Sequence, residues 1–262
     1  MHWIIENIWD GDTERLVKAI KDNDAGTVEI LETSASKYWD FFSKYQGCDE
    51  DTIVFGSIQL CKYTRGIDLA PGAIFEYGAY DCLRYYKYLH MFLLNNDYKI
   101  LPFYSLKHKI DEIYGEERDI FIRPNSPNKP FTGQVIGKER FVETIDRFSW
   151  DKDLQNEELC FISAATNIQC EYRCVVTKNG FLTGSLYRDG TVHKTSEEVP
   201  EEVIALATKA SQMYLPDPIY LVDISTFVGR PPKVIEIGPI ACAGFYDCDR
   251  SKIVNYIYDG CI

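Results

Sequence analysis

Apolar positions recur at two different spacings along this chain, and the balance between them shifts partway. His2 to Trp9 is apolar-rich and strand-like, and Thr13 to Asp22 carries Leu16, Val17, Ala19 and Ile20 at helical spacing, with Thr13 as the expected N-cap. Thr27 to Leu31 reads as a second strand, Ser36 to Lys44 as a helix, Thr52 to Leu60 as a third strand and Tyr80 to Asn95 as an aromatic-rich helix. Alternation of this kind implies a small Rossmann-like α/β lobe over residues 1–118. From Asp119 onward strands dominate. They are expected at Asp119 to Pro124, Gln134 to Ile136, Glu158 to Ala164, Cys170 to Thr177, Phe181 to Tyr187, Tyr220 to Ile224 and Lys233 to Ile237, with helices near Lys138 to Phe148 and Glu201 to Met213. That order implies α+β lobes holding a cleft over residues 119–262.

Composition narrows the classes. The 262 residues suit one to two domains at about 150 residues each. With 45% apolar and 14% aromatic residues the chain can bury a substantial core, which excludes disorder. A net charge of -12 removes the general basic surface of a nonspecific nucleic-acid binder, so any phosphate contact must be local. The nine cysteines form no C-x-x-C pair, and free buried thiols in a reducing compartment are expected. The N-terminus lacks a signal-peptide pattern and no apolar run approaches the ~18 residues of a membrane span, so a cytoplasmic location away from membranes is expected.

Several chemistries drop out. The four histidines are isolated and there is no H-E-x-x-H, so a zinc site is not expected. Gly133 to Glu139 is a near miss to a phosphate loop, with too few residues between its glycines and Glu139 where a hydroxyl should bind magnesium. Three motifs remain. In Phe121 to Gly133, Pro124 biases Arg123 toward extended backbone at a strand end, and Lys129, Thr132 and Gly133 place a charge, a hydroxyl and an open amide where they can close over phosphates. Taken alone, this reads better as a surface turn with two solvated cations. In Cys170 to Thr177, alternation puts Glu171 and Arg173 on one face, the usual arrangement of a solvated ion pair. Finally, Asp223 and Glu236 each interrupt an apolar strand, and two carboxylates on adjacent strands fit either a magnesium pair or unpaired surface groups.

Taken in order, these motifs resemble the ATP-grasp enzymes, and within them the phage-associated clade named for two arginines and one lysine. The segments that carry the resemblance are Phe121 to Pro124, Lys129 to Gly133, Glu171 to Arg173, Asp223, and Glu236 onward with Gly244-Phe245-Tyr246. The resemblance implies an ATP-grasp fold of two α+β lobes clasping ATP, behind the Rossmann-like lobe. It also implies an ATP-dependent carboxylate-amine ligase using Mg2+ and an acyl phosphate, with an acid substrate and an amine acceptor, a peptide or protein among the candidates. By the same resemblance Arg123, Lys129 and Arg173 are catalytic. Arg123, Lys129, Thr132 and Gly133 would hold the phosphates, Ile162, Ser163 and Ala164 the adenine, Glu171 the ribose, and Asp223 and Glu236 the metal. Where the family usually carries Asn two residues after the Glu, this chain has Gly238, which lacks a side-chain oxygen. A non-catalytic nucleotide-binding or protein-interaction module on the same fold is therefore the alternative.

Overall fold

The computed structural model describes residues 1–9, 11–32, 37–45, 51–67, 69–115, 118–150 and 154–260. Its first lobe runs β1 (His2–Glu6), α1 (Asp12–Asp22), β2 (Thr27–Leu31), α2 (Tyr38–Phe42), β3 (Thr52–Phe55), α3 (Ile58–Arg65) and β4 (Pro71–Gly72). The strands form a parallel sheet in the order β2-β1-β3-β4. Parallel strands must be covered on both faces, which explains their continuous apolar runs. Trp3, Ile5, Ile53 and Phe55 face one core, and Ile4 and Val54 face the other beside Tyr38, Phe42 and Leu60.

The next segment begins with α4 (Cys82–Leu89) and β5 (Lys99–Pro102), then α5 (Ile110–Tyr114), β6 (Asp119–Pro124), β7 (Gln134–Gly137), α6 (Phe141–Phe148) and β8 (Leu159–Ala164). Its antiparallel sheet has the order β5-β8-β6-β7 and packs Ile120, Ile122 and Ile162 against Phe141, Ile145 and Phe148. Last come β9 (Cys170–Thr177), β10 (Gly180–Asp189), β11 (Val192–Ser196), α7 (Glu201–Met213), β12 (Ile219–Phe227), β13 (Arg230–Pro239) and α8 (Arg250–Tyr258). These strands make a five-stranded antiparallel sheet, β11-β10-β9-β12-β13. Its back carries α7 and α4 through Tyr172, Cys174, Val203, Ala207, Tyr85 and Tyr86. Helix α8 returns to the first lobe, where Ile253, Val254 and Ile257 join the core of Trp3 and Ile5.

Several expected elements shift. The strand expected over Thr52 to Leu60 stops at Phe55, because Ser57 caps α3 by accepting a hydrogen bond from the Leu60 amide at 3.1 Å. Helix α1 starts at Asp12 behind Gly11, so Thr13 lies inside it instead of capping it. Asp12 is fixed by tertiary partners: it accepts the Phe245 amide at 2.7 Å and pairs with the buried Arg250 guanidinium. Of the helix expected over Ser36 to Lys44, Ser36 lies outside the described residues. The expected aromatic helix is regular only over α4, with a 3-10 turn at His90–Phe92.

Candidate active site

Between the two antiparallel sheets lies a cavity of about 400 Å³. Strand β6 delivers Arg123 to it at the point where Pro124 ends the strand, and Arg123 is 7% exposed. Strands β12 and β13 place Asp223 directly opposite Glu236, and β9 places Arg173 opposite Asp223 on the other side. The two carboxylates are thus each met by cations. Arg123 Nη2 donates to Glu236 Oε2 at 2.9 Å, and Lys129 Nζ donates to Glu236 Oε1 at 3.0 Å. Arg173 holds Asp223 bidentately, Nε to Oδ1 at 2.9 Å and Nη2 to Oδ2 at 2.7 Å, while its Nη1 donates to the Gly244 carbonyl at 2.8 Å. Burial would push the Glu236 carboxyl up, but the charges of Lys129 and Arg123 prevail and hold it down at about 2.

Glu171 and Arg173 share the cleft-facing side of β9 as alternation requires, yet they do not pair with each other. Glu171 accepts from Tyr187 Oη at 2.6 Å and from Arg188 Nη1 at 2.8 Å. Arg173 lies 5.0 Å from the centroid of the Tyr246 ring, which stacks on Tyr187 at 4.9 Å. This aromatic backing fixes the plane of the guanidinium beside the cavity.

The loop after Arg123 carries Lys129 with φ of 47°, and Thr132 and Gly133 line the cavity with it. A Cβ on Gly133 would lie 3.0 Å from the Phe121 ring and 3.2 Å from the Arg123 Cβ, so glycine lets this backbone lie close against β6 without displacing them. Ile162, Ser163 and Ala164 are not brought to the cavity. They lie within β8, where Ile162 is paired with Lys99 on one side and Ile122 on the other, so its backbone is committed to the sheet. The lining passes instead to Thr166 and Ile168, in the connection to β9, and to Leu94 and Asn95. Sequence reading missed these four, and also Tyr187 and Arg188. Arg188 pairs in register with Glu171, a signal that becomes visible only once the β9-β10 register is known.

Magnesium is expected at Asp223 and Glu236, and the donor set fits it in a limited way. Two hard carboxylates on adjacent strands are what magnesium takes alongside nucleotide phosphates. Among the described residues no group of three His, Cys, Asp or Glu gathers to hold a metal without such phosphates.

Residues 105–256 match the family described as an ATP-grasp domain, family 2 of the clade named for two arginines and one lysine. No curated protein matches the chain in sequence. Among solved structures the fold is shared with D-alanine--D-alanine ligase from Bacillus anthracis, at a TM-score of 0.61 and 16% identity, covering 99% of this chain and 96% of that one. It is shared equally with a RimK domain protein ATP-grasp from Sphaerobacter thermophilus DSM 20745, at 0.61 and 13%, covering 99% and 98%. The ATP-grasp ligase PsnB complexed with minimal precursor aligns at 0.55 and 9%, covering 100% and 99%. At these identities the likeness is one of fold.

Proposed function

The chain belongs to the ATP-grasp domain family, in the second family of the two-arginine, one-lysine clade, and on that footing we propose that it is an ATP-dependent ligase joining a carboxylate to an amine. The observation that carries this reading is the meeting of Arg123, Lys129 and Arg173, drawn from three separate segments, around Asp223 and Glu236. A transferring phosphoryl group gathers negative charge, and preorganised cations lower that barrier without reorganising during the reaction. In the proposed sequence a carboxylate oxygen attacks the γ-phosphorus of ATP, the bond to the β-phosphate oxygen breaks and ADP leaves. The amine nitrogen then attacks the acyl carbon, the bond to the phosphate oxygen breaks, and phosphate and a proton depart. Arg123 and Lys129 neutralise the phosphate side of this exchange, and Arg173 faces the acyl phosphate.

The adenine sits among Leu94, Phe121, Ile168 and Ile235 in this reading, with Glu171 and Arg188 nearer the ribose. Asp223 and Glu236 would hold magnesium that arrives with the nucleotide, and the metal would supply positive charge on the phosphate oxygens. In this reading the segment over 119–262 supplies most of the nucleotide side and the segment over 1–118 adds Leu94 and Asn95 to it, with β5 crossing into the former's sheet and α8 into the latter's core. A peptide or protein stands among the acceptors in this reading. The described cysteines are free thiols, which suits a reducing compartment such as the cytoplasm, and no helix among the described residues is long and apolar enough to cross a membrane.

Lys129→Ala tests the reading. The Lys129 side chain is 43% exposed, and an exposed ion pair contributes about 0–1 kcal/mol, so the melting temperature of the nucleotide-free protein should stay nearly unchanged. The melting shift given by ATP with magnesium should shrink, and ADP release with it. Equal shifts in both proteins would remove Lys129 from the phosphate site.

A further inference from the structure

Gly238 sits on the cleft side of β13, two residues beyond Glu236 and opposite Leu221. Nothing around it requires glycine. Its φ lies outside the left-handed region, and a Cβ placed there meets no atom within 4 Å. The room it leaves opens into a second, smaller space of about 60 Å³, which adjoins the first at Arg123, Lys129, Asp223 and Glu236 and is walled by Ile58, Tyr80, Leu221, Ile237 and Cys242. One end of that space carries Arg123, Lys129 and Arg173 against Asp223 and Glu236, a surplus of one positive charge. The remainder of its lining holds no Asp, Glu, Lys, Arg or His among the described residues. The Tyr80 hydroxyl is turned to Asp217, to which it donates at 2.6 Å.

We propose that this space seats the acid substrate, a carboxylate on a short uncharged stem, and that Gly238 sets the length of stem admitted. The proposal rests on the ligase reading and narrows it to a substrate class. The surplus positive charge draws in one carboxylate, and no counter-charge waits for a second ionised group on the stem. Burying such a group unpaired is costly, so the space rejects it. A single water needs about 10–15 Å³ of this kind of volume, so the space of about 60 Å³ holds about four to six non-hydrogen atoms, the size of acetate, propionate or butyrate.

The experiment compares acetate, propionate and glycine as acids, with ATP, magnesium and hydroxylamine as the probe amine, reading ADP release and hydroxamate. Glycine and propionate have the same number of non-hydrogen atoms and differ in the ammonium. Propionate should exceed glycine by about tenfold or more in kcat/KM. In Gly238→Ala the ratio of propionate to acetate should fall by about tenfold, the discrimination one methylene gives in a hydrophobic pocket, and Gly238→Val should lower it further. Both variants should keep the melting shift produced by ATP with magnesium, which shows that they are folded and bind nucleotide. Glycine used as well as propionate, an unchanged ratio in variants that retain the shift, or a nucleotide-binding protein that turns over none of the three acids would overturn the proposal. Absence of the shift in the unmodified protein would overturn the ligase reading itself, and this assignment with it.

Discussion

Glu236 shows most clearly how single residues are set in this cleft. Its carboxylate is tied to Arg123 and Lys129 and held down at about 2 from an ordinary 4.5, despite burial that alone would raise it. A carboxyl depressed in the folded state contributes stability that is fully present above its unfolded value and lost as pH falls through the folded one. The window is therefore from about 4.5 down to about 2, and stability held by this carboxyl is lost as pH falls through it. Urea unfolding at intervals across that window should show the loss in the unmodified protein and a flatter profile in Glu236→Gln. Parallel profiles would mean that the two cations do not act on this carboxyl. Asp223 behaves differently from what two repelling carboxylates suggest. From the strand pattern alone, neutralising it should leave the protein as stable or more so. The structure reverses the sign, since Arg173 is held bidentately by Asp223 and both are largely buried. Asp223→Ala strands a buried guanidinium, a change that costs about 3–5 kcal/mol, and a chemical denaturation midpoint lowered accordingly is the expected result.

At the scale of elements, the segment from Asn125 to Gly133 is more firmly placed than its prolines and polar residues imply. The Asn125 amide donates to the Leu159 carbonyl at 2.7 Å, the Ser126 amide donates to Glu158 at 2.8 Å, and Asn125 in turn receives the amides of Cys82 and Leu83. At the far end Phe131 is 6% exposed and stacks on Phe148 with centroids 4.3 Å apart. Lys129 thus hangs between two fixed ends. Phe131→Ala should cost about 3 kcal/mol in a urea melt and weaken ATP binding by loosening the loop, whereas unchanged stability would mean that the stack contributes nothing. The strands and helices most legible in the sequence were those with an unambiguous apolar period. Strand β9 and helix α7 have the bounds expected of them, Cys170–Thr177 and Glu201–Met213. Others lacked such a period. Strand β11 is exposed along most of its length, with no buried face to mark it, and α8 mixes Asn255 and Lys252 among the residues that pack on the first lobe. Strand β5 is only four residues long and is held in place by pairing with β8.

At the scale of the molecule, the decisive geometry joins residues that no local rule connects. Arg123 and Glu236 are 113 positions apart, and they meet because two antiparallel sheets are joined through the short connection from β8 to β9. The sequence pointed to this meeting only through the ordered resemblance of its motifs. Composition supplied the weaker statement that any phosphate contact must be local within an acidic protein. The walls of the cavity were hidden, because Leu94 and Asn95 come from the segment before β5, where the Leu94 amide donates to the Val234 carbonyl at 2.8 Å, and Thr166 and Ile168 come from a connection without a period. Central to the proposed chemistry is that the three cations serve a phosphoryl transfer from ATP to a carboxylate. The most direct measurement supplies propionate labelled with oxygen-18 in its carboxylate, together with ATP, magnesium and hydroxylamine, and weighs the inorganic phosphate by mass spectrometry. Attack by the carboxylate followed by cleavage of the acyl carbon–oxygen bond leaves one labelled oxygen in each phosphate released, in step with ADP. Phosphate released without label would show that water, and not the acid, receives the phosphoryl group, and would contradict the account.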